Sequence, residues 1–226
     1  MDNKAIRLEA RTLLADKWEK LVLVWLILYA IDIVISSLTK WSFILILIIA
    51  GPLDLGIHTI FLKIFRGEDF KIEEIFNGFK DFRRALETYL LRTFYILLGF
   101  ILLIVPGIII AISHSMSFFI LAENPNIKPK DALRLSKQMM YGHKTQYFML
   151  ILSFIGWFLL SILTFGIGFL FLYPYITMSY TIFYQRIKSE VLYNEIIIEN
   201  VELSTKSPTK DSDESTNQDY IYQDLY

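Results

Sequence analysis

Five blocks of nearly uninterrupted apolar residues, 21–38, 41–62, 89–122, 147–165 and 167–184, constrain this chain more than any other feature. Each is a continuous run rather than a strand-like alternation, which argues for helices. A helix needs about 20 apolar residues to cross a hydrocarbon layer about 30 Å thick. Lipid offers the backbone no hydrogen-bond partner, so only helices or closed barrels can span it. A soluble domain with a large core is the competing reading, but core helices keep a polar stripe, and these blocks have none. Composition agrees, with 54% hydrophobic residues against about 45–50% in an ordinary soluble domain, even counted more broadly.

The 34 residues of block 89–122 exceed one span. Leu103-Ile104-Val105-Pro106-Gly107-Ile108 reads as a tight turn inside it, since proline removes a helix hydrogen bond and glycine tolerates a turn. Thr164-Phe165-Gly166-Ile167-Gly168 reads as the turn within 147–184, and Leu38-Thr39-Lys40-Trp41 joins the first two blocks. The expectation is an all-α, polytopic membrane helix bundle of six spans in three hairpins: 21–38, 41–62, 89–105, 107–122, 147–164 and 168–185. The charged first 20 residues carry no cleavage site after the first block, so that block is expected to be a retained anchor.

Basic residues orient this arrangement. Lys4, Arg7, Arg11, Lys17 and Lys20 fall on one side, with Lys63, Arg66, Lys71, Lys80, Arg83 and Arg84 in the next loop. Lys128, Lys130, Arg134, Lys137 and Lys144 follow in the third. The other side receives only Lys40. The positive-inside rule makes the basic side, and both termini, cytoplasmic.

The basic segments are themselves amphipathic. Ile72, Ile75, Phe76, Phe79, Phe82 and Leu86 recur at helical spacing. Pro129 opens and Gly142 closes a helical stretch whose Ala132, Leu135 and Met139 share a face. Ile6, Ala10, Leu13, Leu14 and Trp18 do likewise before the first span. Short helices of this kind lie in the headgroup plane or pack on the bundle. Lys80, Arg83, Arg84, Lys130, Arg134 and Lys137 are the candidates for contact with anionic headgroups. The partners expected are therefore the bilayer, its anionic lipids and other membrane proteins. Nucleic acid is not expected, because orientation already accounts for these cations.

The chain divides into an integral membrane domain, 1–198, and a tail, 199–226. The tail holds seven acidic residues against two lysines, a net of −5, and the body is +4. Thr205–Tyr226 is too poor in aliphatics to offset its ordering entropy and is expected to be disordered. Tyr220, Tyr222 and Tyr226 alternate with acidic residues there and are read as part of a solvated tail.

No phosphate loop, His-Glu-x-x-His or Gly-x-Ser-x-Gly occurs. Cysteine is absent, and His58, His114 and His143 lack metal-ligand spacing. Neither a catalytic residue nor a cofactor is expected, and the reading is non-enzymatic. One intramembrane group stands out: Asp32, Asp54 and His114 come to roughly 16, 14 and 12 Å from the basic side at 1.5 Å per residue. Asp54 and His58 share a face at i, i+4. Ionisable residues inside spans are functional candidates, although they also serve as interhelical hydrogen-bond partners. A break at Gly51-Pro52 would make Asp54 the third residue of a restarted half-helix, where a carboxylate meets free N–H groups. Pro52 aligned on Pro174 places Thr59-Ile60-Phe61 on Thr181-Ile182-Phe183, a faint internal repeat.

Gly51-Pro52-Leu53-Asp54-Leu55-Gly56, Phe76-Asn77-Gly78-Phe79, Ile104-Val105-Pro106-Gly107-Ile108, Leu121-Ala122-Glu123-Asn124-Pro125 and Ser136-Lys137-Gln138-Met139-Met140-Tyr141-Gly142 follow one another in order. Ser153-Phe154-Ile155-Gly156-Trp157, Thr164-Phe165-Gly166-Ile167-Gly168 and Tyr173-Pro174-Tyr175 complete the set. Together, over roughly residues 5–190, they resemble the domain-of-unknown-function family 975 of bacterial integral membrane proteins. The layout is similar to the membrane domain of some glycerophosphodiester phosphodiesterases, whose catalytic domain is absent here. The resemblance implies a bacterial cell membrane and no activity. The function expected is a non-enzymatic accessory, scaffold or envelope-protective membrane component. The alternative is a small transporter or proton-coupled carrier using Asp32, Asp54 and His114.

Overall fold

Long apolar runs with few prolines or glycines leave the backbone only its own carbonyls to bond, and helices result. The computed structural model describes the backbone of residues 2–38 and 42–206, with side chains up to Tyr193 apart from Leu38, Ser42 and Phe43. Among the described residues it is all-helical. The order is α1 (Asn3–Leu14), α2 (Trp18–Leu38), α3 (Ser42–Phe65), a 3-10 helix (Ile72–Asp81), α4 (Phe82–Leu102), α5 (Ile104–Ser113) and α6 (Ser117–Glu123). Then come α7 (Pro129–Met139), α8 (Lys144–Leu152), α9 (Ile155–Leu163) and α10 (Phe169–Lys206). Residues 1–189 form one compact unit and residues 190–226 another. In the second, the described backbone is helical to Lys206. The remainder of the acidic tail, with its tyrosines, lies outside the described residues, as does the 39–41 connection.

Five helical runs are long and apolar enough to cross a membrane: Trp18–Ser37, Ile44–Phe65, Ile72–Leu102, Ile104–Glu123 and Lys144–Leu163. The expected sixth span, 168–185, is not among them. Its Tyr, Thr and Ser residues lower its hydropathy. Their hydroxyls bond back along the helix, Thr177 to the Tyr173 carbonyl, Ser179 to Tyr175 and Thr181 to Thr177, each at 2.9 Å. Leu172, Met178, Ile182 and Phe183 of α10 are buried. Elsewhere the surface is apolar: Phe94, Leu97, Leu98 and the run Phe100–Val105 are exposed. Contiguous apolar surface of that extent is suited to lipid.

The helix boundaries correct several expectations. The turn within 89–122 is one residue, Leu103, in extended conformation (φ −169°, ψ 159°). Pro106 and Gly107 belong to the first turn of α5, where a missing N–H costs no ladder bond. A Cβ on Gly99 would lie 2.9 Å from the Gly107 Cα, so two glycines let α4 and α5 close into a hairpin. The expected break at Gly51-Pro52 is absent: α3 runs through Pro52 and α10 through Pro174. The breaks fall instead at residues 114–116 and 153–154, inside the expected spans 107–122 and 147–164. Thr59, like Thr181, bonds back to a carbonyl four residues earlier, so the proline-to-threonine repeat has a local structural counterpart. The Thr164–Gly168 turn forms as expected, with Phe165 at φ 53° and Gly166 at φ 89°.

The short helices α1 and α7 each turn one face inward, although Leu135, expected on the face of Ala132 and Met139, is exposed. Ile6, Ala10 and Leu14 of α1 are fully buried, as are Ala132 and Ser136 of α7. Ser136 closes the break between α5 and α6, donating to the Ser113 carbonyl at 2.9 Å and accepting the Met116 N–H at 3.1 Å. The segment 72–81, expected with α-helical spacing, is 3-10 instead. At three residues per turn, side chains at i and i+3 eclipse. Ile75 and Gly78 therefore form a buried column against α3. Phe76, Phe79 and Phe82 form an exposed ladder, with ring centroids 6.3 and 6.4 Å apart.

Lys17 and Lys20 from the start of the chain converge on Asp69 in the loop after α3, at 3.3 and 2.8 Å. The Lys20 hydrogen bond, then those from the Phe70 backbone and Lys17, hold the Asp69 carboxyl well below the usual carboxylate range.

Candidate functional site

The most polar site inside the apolar helices gathers around Asp54. One turn of helix sets Asp54 and His58 side by side on α3, as the i, i+4 spacing requires. His58 Nδ1 lies 2.7 Å from the Asp54 carbonyl oxygen and 3.3 Å from its Oδ1. A carbonyl can only accept, so in the neutral ring Nδ1 carries the proton and Nε2 keeps its lone pair. The other carboxylate oxygen of Asp54 faces Arg92 of α4, whose guanidinium nitrogen stands 3.4 Å away. Aromatic rings of α6 complete the enclosure. Phe119 meets the His58 ring edge-on at 4.3 Å, Phe118 stacks at 5.7 Å, and the Arg92 guanidinium sits 5.8 Å above the Phe118 ring. A charge pair in an apolar surrounding holds together because separating it would leave each charge unpaired.

His114 repeats the pattern at the end of α5. Its Nδ1 bonds the Ile110 carbonyl at 2.9 Å, and its ring stacks on Tyr95 at 5.6 Å. Tyr95 lies one turn beyond Arg92 on α4, so α4 contacts both histidine environments. Asp32 is not brought to either: it is exposed on α2, and among the described residues no hydrogen bond or ion pair reaches it. His143 is the N-terminal flanking residue of α8. Among the described residues no group of three or more His, Asp or Glu is placed to hold a metal ion.

The headgroup candidates separate into two kinds. Lys80, Arg83, Lys130 and Lys137 are exposed. Arg134 is exposed and paired with Asp131 at 3.1 Å. Arg84 is committed to the fold: it pairs with Asp81 and donates to the carbonyls of Ile127 and Asn124, at 3.1 and 2.9 Å.

Three residues carry the polar architecture without having been singled out by the sequence. Arg92 stands inside an apolar block and was absorbed into a span. Ser136 is one hydroxyl in a helix of many polar residues. Glu123 gathers four donors: Arg66 at 2.9 Å, Tyr184 at 2.7 Å, Gln185 at 2.9 Å and Lys188 at 2.7 Å. Its side chain is only 6% exposed, and it ties α6, α10 and the turn after α3 together. A carboxylate within an apolar helix requires a counter-ion, and that requirement points to Arg92.

This polar framework sits within a chain that the family model for proteins of unknown function, DUF975, matches over residues 1–117 and 98–191. The chain belongs to that family. The two matches meet across the α4–α5 hairpin and end close to Ser189, where the compact unit ends. No curated protein matches the chain. No solved structure matches it either. The DUF975 framework is thus read from its own residues: a paired carboxylate, two histidines whose Nδ1 faces a carbonyl one turn back, and a glutamate side chain that gathers four donors.

Proposed function

We propose that this DUF975 protein is a non-enzymatic membrane component that engages anionic lipid through one basic, aromatic-edged face and serves as an accessory or scaffold. The observation that carries this reading is the exposed ladder of Phe76, Phe79 and Phe82 beside exposed Lys80 and Arg83. Rings with adjacent cations suit the boundary between headgroups and acyl chains. The Asp54 carboxylate, with one oxygen facing Arg92 and the other His58, favours a structural over a transporting role for that cluster. Each exposed cation near an anionic leaflet contributes about 1 kcal/mol, fading over a Debye length of about 8 Å. Exchanging Lys80, Arg83, Lys130 and Lys137 together for Gln is expected to reduce the phosphatidylglycerol carried by the purified protein, read by native mass spectrometry. An unchanged lipid load would refute the reading.

The topology proposed has six spans, with residues 169–185 of α10 as the sixth and both termini in the cytoplasm. Its support is the bonding of the α10 hydroxyls back along their own helix, so that neither partly exposed Thr177 nor fully buried Ser179 and Thr181 brings an unpaired donor into an apolar layer. Single cysteines at Leu103 and Phe165, both exposed, should react with an impermeant reagent added outside intact cells, and cysteines at Gly67 and Gly142 should not. Reaction at Gly142 from outside would exclude this arrangement.

A further inference from the structure

Between α1, α9 and the start of α10 lies an apolar trough of about 520 Å³, walled by Trp18, Leu160, Phe171 and Leu172. A second hollow of about 400 Å³ adjoins it, lined by Lys4, Arg7 and Leu8. Arg11, Trp157 and Tyr175 line both, so the two are one groove with an apolar end and a basic end. Volumes of this order are typical of small-molecule sites.

The basic end is built. Lys4, Arg7 and Arg11 recur at i, i+3 and i+7, which sets them along one face of α1. Arg11 is held by two aromatic rings, its guanidinium 5.6 Å from the Trp157 centroid and 5.4 Å from that of Tyr175. Among the described residues no hydrogen bond occupies the Arg11 guanidinium, so its N–H groups remain to donate, as in guanidinium recognition of phosphate. Arg7 is fixed by its bond to the Ser153 carbonyl at 3.2 Å, a group at the α8–α9 break.

The charge is uncompensated. Lys17, Lys20, Lys63, Arg66, Arg92, Arg186 and Lys188 all have a carboxylate within 4 Å. Among the described residues Lys4, Arg7 and Arg11 have none. The nearest acids on α1 are engaged: Asp2 accepts the Lys4 N–H at the helix start, and Glu9 pairs with Arg186. Three cations at the mouth of an apolar trough are complementary to one kind of molecule, an anion attached to a hydrocarbon chain.

We propose that this groove binds a single anionic phospholipid from the bilayer, its phosphate at Lys4, Arg7 and Arg11 and one acyl chain along Leu160, Phe171 and Leu172. The site is separate from the Phe76–Arg83 face and rests only on the membrane location.

The test is native mass spectrometry of the full chain with phosphatidylglycerol and phosphatidylcholine of identical acyl chains. The wild type should retain phosphatidylglycerol in preference, one molecule more firmly than the rest. Lys4→Gln with Arg11→Gln, both exposed and outside the core, should weaken that molecule about thirtyfold, as loss of two cations near a phosphate implies, and abolish the headgroup preference. Leu160→Trp, which fills the trough, should remove the tight molecule of either headgroup. Glycerol phosphate without acyl chains should not displace it. The quadruple Gln variant of Lys80, Arg83, Lys130 and Lys137 should lower the total lipid load and leave the tight molecule in place. Retention unchanged in both groove variants overturns the proposal, as does displacement by glycerol phosphate. Loss of the tight molecule in the quadruple variant alone overturns the groove and leaves the aromatic face standing.

Discussion

Glu123→Gln is expected to cost about 3 kcal/mol of stability, the order found when one partner of a buried ion pair is removed. The carboxylate is 6% exposed and receives Arg66, Tyr184, Gln185 and Lys188. Gln preserves the shape, so the loss reports charge and acceptor capacity rather than a cavity. It leaves two cations facing a neutral amide, and the Tyr184 hydroxyl competing for a single acceptor oxygen. The cations are half-exposed, at 49% for Arg66 and 40% for Lys188, so water relieves part of the cost. For the same reason Arg66→Ala should cost only about 1 kcal/mol. Thermal unfolding of the purified protein in lipid nanodiscs, followed by helical circular dichroism, measures both. A Glu123→Gln transition that coincides with the wild type would mean that α10 is held by apolar packing alone.

How much of this was legible beforehand differs by the range of the interaction. The apolar runs revealed helices because length and continuity are local properties. The Asp54–His58 neighbourhood was legible too, since i, i+4 spacing fixes it within one helix. The breaks at 114–116 and 153–154 were not. No proline or glycine marks them. They are stabilised from afar, the first by Ser136, 20 residues beyond Met116, and the second by Arg7, 146 residues before Ser153. A proline misled in the opposite direction. Pro52 suggested a broken helix, yet one missing N–H in an otherwise bonded helix is tolerated when the helix is packed or in lipid. Arg92 escaped because its neighbours are apolar, although a lone guanidinium in such a block requires a counter-ion. The 3-10 conformation of 72–81 was hidden by a pattern compatible with either helix. Only contact with α3 distinguishes them.

That contact yields the other large effect expected. A Cβ placed on Gly56 would stand 1.9 Å from the Ile75 carbonyl oxygen, and one on Gly78 would stand 1.9 Å from that of Pro52. Both obstacles are backbone, so no side chain can rotate away. The 3-10 helix must retreat from α3 by more than an ångström, which uncovers Ile75. Overpacking of this kind costs typically 1–3 kcal/mol and occasionally more. With backbone as the obstacle, about 3 kcal/mol or above is expected for Gly56→Ala and for Gly78→Ala. Other glycines supply the contrast. Gly67, at φ 75° with open space around it, should lose only about 1–2 kcal/mol as Ala, from left-handed strain alone. Gly156, helical and unobstructed, should gain about 0.5–1 kcal/mol, the helix advantage of Ala over Gly. The two large effects share one interface, so they are coupled. Once the first Cβ has forced the helices apart, the second finds room, and the double variant should fall well short of the sum. Full additivity in unfolding measurements would show that Gly56 and Gly78 act at independent contacts.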